Sequence, residues 1–186
     1  MALPDSAKIV VGTPIVVADT TDYTNSQGLG ARTDQIDLTS LAAGAARQSD
    51  KIDFTANIDL EYVLSAAVEW ATAPAAGETV DFYIGWSSSA TAGTNNPGGL
   101  GGADAAYTGY SANLDESLKQ LQYIGSMVAT VQATGTVQID TAVATFTPRL
   151  RYGTLVVVNN SAADAFHTDA AETAVALTPL TTQIQD

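Results

Sequence analysis

Chemistry in this chain has to be sought around one histidine and a set of carboxylates. His167 lies in the run from Ala163 through Asp164, Ala165, Phe166 and Thr168 to Asp169, so two carboxylates stand close enough in sequence to orient an imidazole. Acid–base or nucleophilic catalysis needs such a titratable group beside an orienting partner and a nucleophile presented to it. The run Gly85, Trp86, Ser87, Ser88, Ser89 starts like a Gly-x-Ser-x-Gly elbow and fails at its last position. His167 is therefore read as a surface-loop histidine beside carboxylates, and no catalytic residue is assigned.

Metal and phosphate chemistry fare no better. With one histidine and no cysteine, a metal would have only hard oxygen ligands, which suit calcium. Asp19, Asp22 and Asn25 lie near each other, as do Asp34 and Asp37, Asp50 and Asp53, and Asp164, Asp169 and Glu172. None has the spacing of a calcium loop, and turn-forming Asp explains such proximities in so acidic a chain. The glycines at 98, 99, 101 and 102 form no phosphate loop, and no lysine follows them until Lys119. No metal or cofactor is expected. A carboxylate pair for glycoside hydrolysis stays open, because its separation is a property of the fold.

The charge narrows the partners. Seven Lys and Arg against 20 Asp and Glu leave a net charge of −13. Nucleic-acid binding draws on cations that displace counterions from phosphate, and this chain has few and no cluster of them. The same field opposes anionic membranes. No stretch approaches the ~18 apolar residues of a spanning helix, and residues 1–8 carry no basic segment followed by an apolar one, so a chain made and used in soluble form is expected. Absence of cysteine excludes disulfide scaffolds and thiolate metal sites.

The elements that would position any site are strands. A length of 186 residues suits one domain. From Leu60 the even positions Tyr62, Leu64, Ala66, Val68 and Trp70 are apolar while Glu61, Ser65 and Glu69 alternate with them. Val80, Phe82, Ile84 and Trp86 repeat the period, with Pro74 to Gly77 between, so a hairpin is expected. A second hairpin is expected from Leu121 to Val131 and Val137 to Val143 across Ala133 to Thr136. Leu155 to Val158 read as a strand covered on both faces, and weaker strands fit 8–17, 33–38, 50–56 and 173–180. One short helix is expected after Asn113, with Asp115 and Glu116 in its first turn and Leu114, Leu118 and Leu121 at helical spacing. Trp70 and Trp86, both on apolar phases, are assigned to the core rather than to a carbohydrate-binding face. The expected architecture is an all-β, single jelly-roll-like antiparallel β-sandwich with one short helix and a long Gly/Ala/Ser-rich loop.

Two segments invite an interaction role. The loop from Ser87 to Asn113 exceeds the ~12–15 residues usual in compact domains, and Asn95, Asn96, Pro97, Leu100, Tyr107 and Tyr110 are its candidate contact residues, the tyrosines as amphipathic anchors. The alternative is a mobile surface insertion. Residues 1–32 form an N-terminal arm or edge strand ahead of the sandwich at 33–186, with Ile9, Val11, Ile15 and Val17 flanking Pro14 as candidates for a partner's sheet edge.

Several runs together carry a resemblance. Asp81 to Trp86, Ser89 to Gly99, Gly102 to Tyr107, Ser117 to Leu121, Arg151 to Gly153, Val156 to Asn159, Ala165 to His167 and Leu177 to Leu180 resemble small structural proteins of tailed bacteriophages. The similarity spans roughly Thr39 to the C-terminus. It implies a virion component with a jelly roll or related sandwich, such as a capsid decoration, neck or tail-fibre protein, and it transfers no catalytic residue. The expected function is thus a non-enzymatic decoration protein on the capsid exterior. Its partners would be the major capsid protein or other virion subunits, and it would be a homo-oligomer, most simply a trimer. The alternative is a neck or tail-fibre module recognising a glycan or protein on the host cell.

Overall fold

In the computed structural model, residues 6–18, 35–54, 61–169 and 172–185 are described. They form ten strands and one helix. The strands are β1 (Ser6–Val11), β2 (Ile15–Ala18), β3 (Ala46–Asp53), β4 (Glu61–Val68), β5 (Thr79–Ser87), β6 (Ala105–Tyr107), β7 (Gln122–Val128), β8 (Gln138–Phe146), β9 (Tyr152–Asn159) and β10 (Thr173–Gln185), and α1 spans Leu114–Leu118. One sheet runs β1-β10-β4-β8, with β2 also on β10, and the other runs β6-β3-β9-β5-β7. All the strand pairings are antiparallel.

The order of crossings defines the topology. From β2 to β5, and again from β7 to β10, each successive strand moves to the opposite sheet, whereas β5 and β7 are neighbours in the same one. That is the double Greek key of a jelly roll, in which β2-β10-β4-β8 faces β3-β9-β5-β7. The short β6 lies outside this frame on the free side of β3, and β1 extends the edge begun by β2.

Both expected hairpins are corrected by this arrangement. β4 and β5 lie in different sheets, as do β7 and β8, so the turns after Pro74 and around Gly135 carry the chain across the sandwich. Period-two alternation fixes which face of a strand is buried and leaves its partner open, so an arch and a hairpin satisfy it equally. The strand expected at 33–38 is also absent over its described part: residues 35–38 are irregular, although Ile36 and Leu38 are buried and the Ile36 N–H donates to Val17.

The core follows the alternation. Tyr62, Leu64, Ala66 and Val68 of β4, with Val175 and Leu177 of β10 beside them in the same sheet, face Val80, Phe82 and Ile84 of β5 and Leu155 and Val157 of β9. Aromatic rings close both ends of β4. Phe54, Tyr62 and Phe146 pack at one end, with centroids 5.2 Å apart for Phe54 and Tyr62 and 5.7 Å for Tyr62 and Phe146. Trp70 meets Phe166 edge to face at 5.7 Å at the other. Trp86 packs partly buried against the same core and donates its indole N–H to Gln122 at 2.7 Å. At the β7/β8 side the sheets approach so closely that a Cβ on Gly125 would stand 2.8 Å from Cβ of Ala144.

Candidate interaction surfaces

The long segment between β5 and β7 is a third layer over the outer face of the second sheet. On β9 the residues alternate between two interiors: Leu155 and Val157 face the sandwich, while Val156 and Val158 face a second cluster with Ala46, Leu100, Tyr107 and Leu121. This is why that strand is buried on both faces. The sheet makes room for the layer at Gly85, where a Cβ would meet Leu100 Cδ1 at 2.1 Å.

Polar bonds tie the layer down. Lys51 Nζ donates toward Ser87 Oγ at 3.1 Å and toward the carbonyls of Ser89, Thr91 and Thr94 at 2.9, 2.9 and 3.1 Å. Burial lowers this ammonium's pKa from an ordinary value far above neutrality. Gln48, on the same strand, donates to the Ala103 carbonyl and accepts from the Gly101 N–H, both at 2.9 Å. Arg47 pairs with Asp104 at 2.6 Å, a hydrogen bond that raises the guanidinium's pKa further. Asp104 also accepts from the Asp37 N–H at 3.2 Å, so one loop carboxylate joins β3 to residues 35–38. The Tyr107 hydroxyl donates to the Gly98 carbonyl at 2.6 Å. The helix that ends the layer is capped as its sequence implies, the Asn113 side chain accepting from the Glu116 N–H at 3.4 Å.

The structure therefore divides the candidate contact residues. Leu100 and Tyr107 are 5% and 3% exposed and pack within the chain's own fold, which corrects the reading of Tyr107 as an anchor for a neighbour. Asn96 is half-buried and donates to the Leu100 carbonyl, and Pro97 is half-buried near Gly85. Asn95 is exposed in a left-handed conformation, φ 54°, and Tyr110 is 61% exposed. Of the N-terminal set, Val17 is fully buried in the core and Ile15 packs against it, so both belong to the fold. Ile9 and Val11 are 68% and 65% exposed.

Those two side chains sit on an unusual element. β4 accompanies β10 from Thr173 to Leu180, while β1 accompanies it from Leu180 to Gln185. Among the described residues, the last part of β10 and β1 thus run on as a two-stranded ribbon past the end of β4. Pro14 lies in the break between β1 and β2, and the Gly12 N–H donates to the Pro179 carbonyl at 2.8 Å across it. Residues 6–18 are consequently an edge of the sandwich rather than a detached arm; 1–5 and 19–34 lie outside the described residues.

Two further features escaped the sequence. A cleft of about 380 Å³ opens beside α1, lined by Tyr83, Tyr123, Asp115, Leu118, Lys119 and Asn160 among others. Burial first, then Asp81, Tyr123 and Asp115, push the Tyr83 phenol above its ordinary pKa and keep it a neutral donor. Just past the C-terminal end of β4, Glu69 is buried although its phase assigned it to solvent. It lies 3.9 Å from His167 Nε2, and Glu172 close by has a raised pKa, through burial first and then the charge of Glu69. His167 Nδ1 accepts from the Asp169 N–H at 3.1 Å. No serine or threonine hydroxyl is bonded to His167 among the described residues, and none of their acidic or histidine groups clusters as a metal site. Asp19, Asp22, Asn25 and Asp34 lie outside them.

No family model, curated protein or solved structure matches this chain. No helix among the described residues is long and apolar enough to cross a membrane.

Proposed function

We propose that this chain is a non-enzymatic structural subunit of a tailed-phage particle, a decoration protein bound to the outside of the capsid. The observation that carries the reading is the β1–β10 ribbon, which leaves Ile9 and Val11 exposed on a strand that, among the described residues, is paired along one side only. A two-stranded ribbon is marginal by itself, and an exposed strand edge is a template for another chain. Contact with a shell subunit would complete it. The loop layer fits the same role from the other direction, since its locked face leaves Asn95 and Tyr110 outward on a firm support. A charge of −13 suits a surface turned away from packaged DNA.

In this reading the partner is the major capsid protein, and the subunit acts as a homo-oligomer, a trimer at local threefold positions. Its mechanism is mass action: a protein that binds only the assembled shell stabilises that shell.

The test is the protein composition of purified full particles against heads lacking tails. Decoration requires an abundant chain that stays with tailless heads, whose loss leaves shells less resistant to heat. A scarce chain that departs with the tails would overturn the reading and favour host recognition.

A further inference from the structure

We propose that the cleft beside α1 is a binding site for a neutral saccharide. The inference stands apart from the position of the subunit on any particle.

A pyranose presents C–H faces to an aromatic ring and a rim of hydroxyls that donate and accept, so its site needs ring surface next to mixed polar groups. The cleft supplies both. Tyr123 is 52% exposed and Tyr83 is half-buried, with ring centroids 5.3 Å apart at 62°, giving one accessible ring braced by another. Tyr123 is also fixed at its far end. Its hydroxyl pairs with Ser126 Oγ at 2.6 Å, Ser126 donates to Asp81, and the Asn160 amide donates to the other oxygen of that carboxylate. The ring is thereby held without a ligand, and a preorganised platform loses less freedom on binding.

The polar groups are of both kinds. Asp115 offers acceptors and Lys119 offers donors, and neither joins an ion pair among the described residues. Asn160, which also lines the cleft, uses an amide N–H on Asp81 and has an acceptor oxygen in the same amide. Ring surface with a few convergent polar groups in about 380 Å³ is the composition of a small-molecule site, near the lower end of the usual size. Asp81 and Asp115 disfavour an anion, while Lys119 among the lining groups opposes a cation, which leaves an uncharged ligand favoured.

The experiment is a titration of the whole chain with maltotriose, cellotriose, chitotriose and lacto-N-tetraose, each to about 10 mM, followed by amide chemical shifts. At least one should saturate, with shifts centred on residues 81–83, 115–123 and 160. Tyr123→Ala should then weaken binding about tenfold or more, and Lys119→Ala by less, while Tyr123→Phe keeps most of it because the ring remains. Silence toward all four sugars overturns the proposal. So does saturation that maps elsewhere or ignores Tyr123→Ala in a folded protein, or a response to tetramethylammonium without one to sugars, which would make the tyrosines a cage for cations.

Discussion

Lys51 does with an ammonium what a bound monovalent cation could do with its charge: it gathers the Ser89, Thr91 and Thr94 carbonyls and Ser87 Oγ around one centre. Lys51→Met leaves those acceptors without their common donor, and a loss of about 1–3 kcal/mol is expected, read as a lower Tm with faster amide exchange confined to residues 87–104. Tyr107→Phe, which removes a single buried hydroxyl bond to Gly98, should cost about 1 kcal/mol. Glu172 gives a pH signature. Its pKa is raised on folding, so the folded state binds its proton more tightly than the unfolded chain, and stability falls as pH rises from the ordinary carboxyl value of 4.5 through the folded one. Glu172→Gln should therefore raise the Tm at pH 7, and the gain should vanish in thermal melts run below about pH 4.

At the scale of elements, the loop layer is held by one missing side chain as much as by its bonds. Gly85→Val would drive methyl groups into the space of Leu100, and the layer has to lift or the sheet has to bend. We expect a destabilisation of at least about 2 kcal/mol by denaturant titration, with Tyr107 becoming accessible to solvent quenchers. These elements also show what a sequence can reveal. The inward phases of β4 and β5, the two-sided burial of β9 and the Asn113 cap were legible, because each follows from local spacing and side-chain chemistry. The pairing of β4 with β8 and β10 was not, since long-range register leaves no mark on one strand's alternation. The loop was conspicuous by length and glycine content, yet its latches Arg47, Gln48 and Lys51 lie on a strand 36 to 57 residues from their partners and looked like ordinary polar positions. Glu69 was misassigned for a similar reason: its neighbours Glu172 and His167 come from across the fold.

For the whole molecule, the division between inward and outward apolar residues sets the decisive comparison. Ile9→Ser with Val11→Ser removes two largely exposed side chains, so stability should stay within about 0.5 kcal/mol per site while co-sedimentation with shells is lost. Unchanged co-sedimentation would move the contact to the face around Asn95 and Tyr110. The candidate site was only half readable. Ile9, Val11 and Tyr110 were named from sequence and are exposed, whereas the tyrosine cleft unites β5, β7, α1 and Asn160, which no linear spacing connects.

The pairing of Ser6 with Gln185 has a practical meaning. Any polypeptide attached before the first strand or after the last leaves the sandwich at the same pole, side by side. A circular permutant that joins these two ends by a short linker and opens the chain in the exposed turn at residues 75–77 should keep the jelly roll intact. It would also turn the ribbon into a closed hairpin, so two fused cargoes could be traded for one, displayed beside the exposed Ile9 and Val11.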